Sequence, residues 1–87
     1  MPKRGTVVNA QFGWRVRELR ERRGRLMDEL ASKAGVNRKT ISRIENLKDD
    51  ETREFYTANL HQIAQALGTT LAELLTMTAS AHLRLSW

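Results

Sequence analysis

The chain has 87 residues, the length of one small domain with a modest hydrophobic core. It contains no cysteine, which excludes disulfides and thiolate metal sites. It shows no signal peptide and no apolar run of transmembrane length, so we expect a cytoplasmic protein without membrane contact. The formal net charge is +5, but residues 1–46 hold 12 Lys/Arg and 5 Asp/Glu, whereas residues 47–87 hold 3 and 5. This basic first half fits either a polyanionic partner or a soluble basic surface.

The N-terminal segment, residues 1–11, is predicted to be a flexible basic arm because it includes Pro2, Gly5 and the adjacent Lys3 and Arg4. Such an arm can follow a groove of DNA, although chain termini are often simply disordered. Residues 6–8, Thr-Val-Val, have the composition of a short strand.

The first helix is predicted over residues 12–23. Phe12, Val16 and Leu19 recur at i, i+4 and i+7, which places them on one inward stripe. Trp14 lies off this stripe, and we expect it to pack against an end of the fold or against a partner.

Two short helices that meet at a tight turn are predicted over residues 27–46. The first, residues 27–34, has its leucine and two alanines on one face, and Gly35 ends it because glycine readily takes the left-handed conformation. Asn37 is a suitable N-cap for the second helix, in which Ile41 and Ile44 form an apolar pair. The opposite face of that helix carries polar and basic side chains: Arg38, Lys39, Ser42, Arg43 and Asn46. This pattern is typical of a helix-turn-helix, whose second helix enters the major groove of DNA.

The next segment is acidic. Residues 48–54 are predicted to form a solvated loop that points away from DNA, or that meets a protein partner, because its acids would repel phosphate. The run lacks the spacing of a calcium loop, so we expect no metal site there. Phe55 and Tyr56 are expected to return to the core.

Two further helices are predicted after this loop. Thr57 is the expected N-cap of the fourth helix, and Thr70 with Glu73 forms a capping box at the start of the fifth.

The C-terminal extension, residues 76–87, ends in an alternating pattern that places Leu83, Leu85 and Trp87 on one face, which favours a strand. A lone strand is not stable beside helices, so we expect it to pair with residues 6–8 or with its own copy in a dimer. Two alternatives to this strand are a frayed tail and a segment that binds another protein through Trp87.

The string L-A-x-x-A-G-V-x-x-x-T-I-S-x-I-E, from Leu30 to Glu45, resembles the Cro/C1-type (XRE-like) helix-turn-helix family of phage repressors and bacterial regulators. The resemblance covers residues 12–75 and implies an all-α fold, a compact five-helix domain. The arm at residues 1–11 precedes this domain. The extension at residues 76–87 follows it and adds the short strand that we expect in dimerisation.

The resemblance also assigns roles to residues. It implies an ion pair that ties the first helix, at Arg20, to the end of the recognition helix, at Glu45. The residues placed to read bases are Asn37, Arg38, Lys39, Ser42 and Arg43. The residues placed to contact phosphate are Arg25, Met27, Thr40 and Asn46. Asn37 is alternatively a helix cap or a phosphate contact, and Thr40 alternatively a packing residue.

The chain departs from the family before the second helix, where residues 24–27 read Gly-Arg-Leu-Met and the family usually has Gly-Leu-Ser/Thr-Gln. The hydroxyl cap is therefore missing, and Met27 stands where glutamine usually meets a phosphate. We expect Arg25 to replace that contact, and Leu26 or Met27 to supply an apolar contact.

The function implied is sequence-specific regulation of transcription by a homodimer that binds double-stranded DNA on a palindromic operator, with residues 37–46 in the major groove. Repression by occlusion of a promoter is expected, and activation by contact with polymerase is the open alternative. Two alternative functions are compatible with the same fold. An antitoxin would bind a toxin through the acidic loop or the C-terminal tail and repress its own operon, and a controller would serve a restriction–modification system. No catalytic or cofactor-binding motif is present, so we expect neither an enzyme nor a cofactor.

Overall fold

The structure, a computed structural model, describes residues 5–76. Five helices and two strands follow one another along the chain: β1 (Gly5–Asn9), α1 (Ala10–Arg22), α2 (Met27–Ala34), α3 (Arg38–Glu45), β2 (Thr52–Tyr56), α4 (Thr57–Ala66) and α5 (residues 71–76). The five helices agree with the predicted architecture. The all-α prediction is incomplete, however, because the two strands form a small antiparallel sheet. No helix within residues 5–76 is long and apolar enough to cross a bilayer.

The sheet joins the N-terminal segment to the acidic segment. Gly5 pairs with Tyr56 and Asn9 with Thr52, which leaves Val8 on the inner face with only 3% of its surface exposed. The predicted flexible arm is therefore wrong for residues 5–11, which form β1 and the start of α1. The physical reason is that residues 52–56 supply the partner strand, which local composition does not reveal.

The second strand also corrects the predicted loop at residues 48–54. Its first residues, 52–54, belong to β2, and only the preceding residues form a turn. Phe55 packs partly against the core as expected, but Tyr56 is 70% exposed because it lies on the outer face of the sheet.

Val8 provides a test of this packing. Val8→Ala should lower the free energy of unfolding by about 2 kcal/mol, because two buried methyl groups are lost and the core cannot fully collapse around the gap. Val7→Ala is the matched control, since Val7 is 60% exposed and its loss should change stability by less than about 0.5 kcal/mol. Urea unfolding followed by circular dichroism measures both. Equal effects of the two substitutions would show that β1 does not pack as described.

The helices enclose one core that contains the predicted inward positions. Phe12 and Val16 of α1 are buried, and Ile41 and Ile44 of α3 have no exposed surface. The other large side chains with less than 2% exposure come from α2, α4, α5 and the residue after α4: Leu30, Leu60, Ile63, Leu67 and Leu74. Apolar periodicity therefore placed the buried faces of α1, α2 and α3 correctly, with Leu19 of α1 only partly buried.

The first residues of two helices differ from prediction. The first helix begins at Ala10, because the Asn9 side-chain oxygen accepts a hydrogen bond from the Phe12 backbone N–H at 3.1 Å. Thr57 is not a cap but the first residue of α4, and its Oγ1 lies 2.7 Å from Oγ1 of Thr6. At α5 the predicted cap is present, since the Glu73 backbone N–H donates to Thr70 Oγ1 at 3.0 Å.

Candidate nucleic-acid interface

The turn between α2 and α3 sets the angle of the helix-turn-helix. Gly35 has a φ of 71°, and the Val36 backbone N–H donates to the Ala31 carbonyl at 3.0 Å, which closes the end of α2. Asn37 then caps α3, its side-chain oxygen accepting from the Lys39 backbone N–H at 2.8 Å. The sequence left the role of Asn37 open, and the structure shows it as the helix cap.

A buried ion pair ties α1 to the end of α3. Arg20 Nε donates to Glu45 Oε2 at 2.8 Å, and Arg20 Nη2 donates to Glu45 Oε1 at 3.0 Å. Arg20 Nη1 donates to the Arg25 carbonyl at 2.6 Å, so the guanidinium also holds the segment between α1 and α2. Both residues are 8% exposed. The hydrogen bond to Glu45 raises the pKa of Arg20 above its ordinary value, against the effect of burial. This is the pair that the resemblance implied.

A glycine on α1 allows α3 to lie close to it. A Cβ added at Gly13 would be only 1.9 Å from the Ile44 carbonyl oxygen. No side chain fits this gap, so the two helix backbones touch there. Together with the ion pair, this contact fixes α3 relative to the rest of the domain.

The exposed face of α3 presents the predicted base-reading side chains. Arg38, Lys39 and Arg43 are exposed, and Ser42 is partly exposed. Ser42 Oγ accepts a hydrogen bond from Asn46 Nδ2 at 3.1 Å. Because the two isoleucines are fully buried, this polar face is held outward along the whole helix.

The side chains predicted to contact phosphate divide into two groups. Arg25 and Thr40 are partly exposed and Asn46 is exposed. Met27 instead packs partly against the core, and its thioether has no hydrogen to donate, while its assignment as a phosphate contact stays an untested prediction. Met27 therefore supplies the apolar contact, while Leu26 is 68% exposed.

The acidic segment is closer to α3 than the sequence suggested. A cleft of about 220 Å³ separates the C-terminal half of α3 from the start of β2, and its lining includes Arg43 of α3 together with Glu51 and Arg53. Lys48 donates a backbone N–H to Glu51 Oε1 at 3.1 Å, which holds the pKa of Glu51 below its usual range. Glu51 Oε2 in turn lies 3.3 Å from Arg53 Nη2. This segment is thus a structured turn beside the C-terminal half of α3, and whether it points away from DNA or meets a protein partner stays a prediction.

Two charged neighbours of α3 were not singled out from the sequence. Arg53 lies within a run of acidic residues, so the net charge of that run does not indicate a basic side chain beside α3. Asp28, the second residue of α2, forms an ion pair with Arg38, whose Nε lies 2.8 Å from Asp28 Oδ1. Because the two residues lie on different helices, ten positions apart, only the fold brings them together.

The remaining site predictions concern partners and metals. Leu83, Leu85 and Trp87, predicted to serve a dimer or a protein partner, lie outside the described residues. Within residues 5–76, Trp14 is 61% exposed, and its packing against a partner stays a prediction. That same range holds no group of three His, Cys, Asp or Glu side chains placed to bind a metal ion.

The family model described as "Helix-turn-helix domain" matches residues 11–77. The chain belongs to this family. The restriction-modification controller protein C.AhdI from Aeromonas hydrophila is 31% identical, with 75% of this chain and 92% of that chain covered and a TM-score of 0.64. SinR, a master regulator of biofilm formation solved in complex with DNA, is also 31% identical, with 74% and 97% covered and a TM-score of 0.60.

A third solved structure adds a likeness of fold alone. The clp gene regulator ClgR from Corynebacterium glutamicum is 23% identical, with 88% of this chain and 78% of that chain covered and a TM-score of 0.70. No curated protein matches the chain. The helix-turn-helix protein described here is thus of the Cro/C1 type, a class of DNA-binding transcription regulators.

The capping role of Asn37 can be separated from contact with DNA. Asn37→Ala should lower the free energy of unfolding by about 1 kcal/mol, whereas Asn37→Ser should keep the cap and change stability by only a few tenths. Thermal unfolding measures this difference. If Asn37→Ser also weakens binding to the preferred DNA while stability is retained, the side chain contacts DNA as well as capping α3. Unchanged stability in Asn37→Ala would contradict the capping role.

Proposed function

We propose that this protein is a transcriptional repressor in the cytoplasm that binds double-stranded DNA as a homodimer on a palindromic operator. The observation that carries the proposal is the orientation of α3, which buries its apolar face and exposes its basic face. Its apolar face is fully buried and its backbone is fixed by α1 and the Arg20–Glu45 pair, so its basic face is presented as one rigid surface. An α-helix of this kind fits the major groove, and two copies would read half-sites about 34 Å apart.

The proposed site uses the side chains of α3 in two ways. Arg38, Lys39 and Arg43 are long donors at its exposed face, with Arg38 and Lys39 at the N-terminal end, where base edges are reached. Ser42 lies one turn further on. The phosphate contacts proposed are Arg25, Thr40 and Asn46, which flank these readers. The site needs no cofactor, and we propose no enzymatic reaction for it.

Selection from random duplex DNA with the purified protein tests this proposal. Sequencing of the retained DNA should reveal an enriched palindrome, and light scattering should show two protein chains on one duplex. Retention that depends on salt but enriches no motif would overturn sequence-specific repression. Competition by duplex RNA should be weak, because the deep major groove of A-form RNA does not admit a helix.

Two substitutions should separate base reading from phosphate contact. Arg38→Ala should relax specificity at particular base pairs, with a loss of about 1–3 kcal/mol of discrimination there. Arg25→Ala should weaken binding to all sequences alike and reduce the slope of log affinity against log salt by about one. Fluorescence anisotropy with the selected operator and its single-base variants measures both. A uniform loss in Arg38→Ala would contradict its assignment as a base reader.

A second candidate function is control of a restriction–modification system. It is favoured by the likeness to C.AhdI, a restriction-modification controller of which the alignment covers 92%. A neighbouring restriction endonuclease or methyltransferase gene would support this role, and a neighbouring toxin gene would instead support an antitoxin. The toxin-binding alternative depends on the acidic turn or on the extension beyond residue 76.

A further inference from the structure

The inference concerns one acidic side chain at the proposed DNA-facing surface. Asp28 is the second residue of α2 and Arg38 is the first residue of α3, and the two form an ion pair in which Arg38 Nε lies 2.8 Å from Asp28 Oδ1. Both side chains are largely exposed, at 76% and 63% of their surface. This pair therefore stands on the outer surface, in contrast to the buried Arg20–Glu45 pair.

An exposed ion pair of this kind adds little to the stability of the fold, but it affects the conformation of Arg38. It restricts the guanidinium of Arg38, which otherwise has many rotamers. The carboxylate lies beside Nε, so the end of the guanidinium that carries the two terminal nitrogens stays free of it. These two nitrogens form the fork that matches O6 and N7 of guanine in the major groove.

We propose that Asp28 is a positioning residue that aims Arg38 at a guanine in the operator. The carboxylate is carried by a helix, so its place is fixed by the core and not by a loop. Arg38 is likewise fixed at its backbone, directly after the capped turn at Asn37. The pair thus arranges the base-reading fork before DNA arrives, which reduces the entropy that Arg38 loses on binding.

The same carboxylate also acts against non-specific binding. Asp28 lies beside Arg38 at the surface proposed to approach phosphate, and its negative charge opposes the attraction that holds the protein on random DNA. In the specific complex, the arginine that Asp28 orients gains a guanine contact that offsets this repulsion. Both effects widen the difference between operator and random DNA.

This inference rests on the proposed function, and the test is therefore done with the selected operator. Asp28→Asn removes the charge while it keeps the shape of the side chain. Asp50→Asn is the matched control, because it makes the same change of charge at an exposed position in the acidic segment. Affinities are measured for the operator, for each single-base variant and for random duplex DNA.

We expect Asp28→Asn to reduce discrimination by about fivefold or more at one guanine, the same base pair that Arg38→Ala affects. Binding to random DNA should increase, and Asp28→Asn should cause no further loss of discrimination when it is added to Arg38→Ala. Asp50→Asn should change the affinity for all sequences by the same factor. Urea unfolding should show equal stability for Asp28→Asn and the unaltered protein.

Three results would overturn the inference: equal changes at every base pair, a loss at a base pair that Arg38→Ala does not affect, or additive losses in the double variant. These results differ from failure of the proposed function. If the unaltered protein enriches no motif from random DNA, both the proposed function and this inference fail. If it enriches a motif and Asp28→Asn reads that motif unchanged, only the inference fails.

Discussion

Glu45→Ala is expected to lower the free energy of unfolding by about 3–5 kcal/mol, which is a large part of the stability of a domain of this size. The carboxylate accepts two hydrogen bonds from Arg20, and both side chains are almost fully buried. Removal of Glu45 would leave a buried guanidinium with one of its partners gone and little water to replace it. Urea unfolding measures the loss, and thermal unfolding should show a melting temperature lower by about 12 °C or more.

Two comparisons make this result specific to the buried pair. Glu21→Ala removes an exposed partner of Arg17 at 3.3 Å and should cost less than about 0.5 kcal/mol. Arg20→Leu combined with Glu45→Leu should be less destabilising than Glu45→Ala, because no charge is then left unpaired in the interior. If Glu45→Ala costs no more than Glu21→Ala, the pair is not buried as described.

The pH dependence of the ion pair follows from the direction of the pKa shift. The bond to Glu45 raises the pKa of Arg20. The stabilisation linked to this shift is fully present below the ordinary pKa of arginine and is lost only as the pH rises through the raised value. No titration of Arg20 is therefore expected between neutral and moderately alkaline pH.

Gly13→Ala is expected to lower the free energy of unfolding by about 2–3 kcal/mol, although alanine is the better helix former by about 1 kcal/mol. The new Cβ would lie 1.9 Å from the Ile44 carbonyl oxygen and 2.9 Å from its carbon, and both of these are backbone atoms that no rotamer change can move. The clash must push α3 away from α1. Circular dichroism during urea unfolding measures the loss.

The matched control for Gly13→Ala is Gln11→Ala, an exposed position on the same helix, where stability should change by less than about 0.5 kcal/mol. Displacement of α3 should also weaken operator binding by Gly13→Ala under conditions where the protein remains folded. A stability gain of about 1 kcal/mol, as expected from helix propensity alone, would contradict the close approach of the two helices.

The predictions from sequence succeeded for the helix-turn-helix, where local patterns carried the information, but the cap predicted at Thr57 was wrong. Apolar spacing identified the buried face of α3 through Ile41 and Ile44, and turn chemistry identified Gly35 and the capping choice at Asn37. The structure around these residues can be predicted because the interactions that determine it lie within one helix or one turn. The assignment of individual base readers stays a prediction, since the chemistry of a donor does not say which base it meets.

What the sequence by itself determined is the helix-turn-helix, because periodicity, the left-handed glycine and the cap all act over a few neighbouring residues. What only the tertiary structure decided are the contacts between distant segments: β1 with β2, the backbone contact at Gly13, the packing of Met27, and the pair of Asp28 with Arg38. The physical reason is that each of these depends on how separate elements meet. A strand forms only where a second strand pairs with it, and Gly13 is required only because the Ile44 backbone approaches it closely. The local sequence identifies neither the pairing strand nor the approaching backbone.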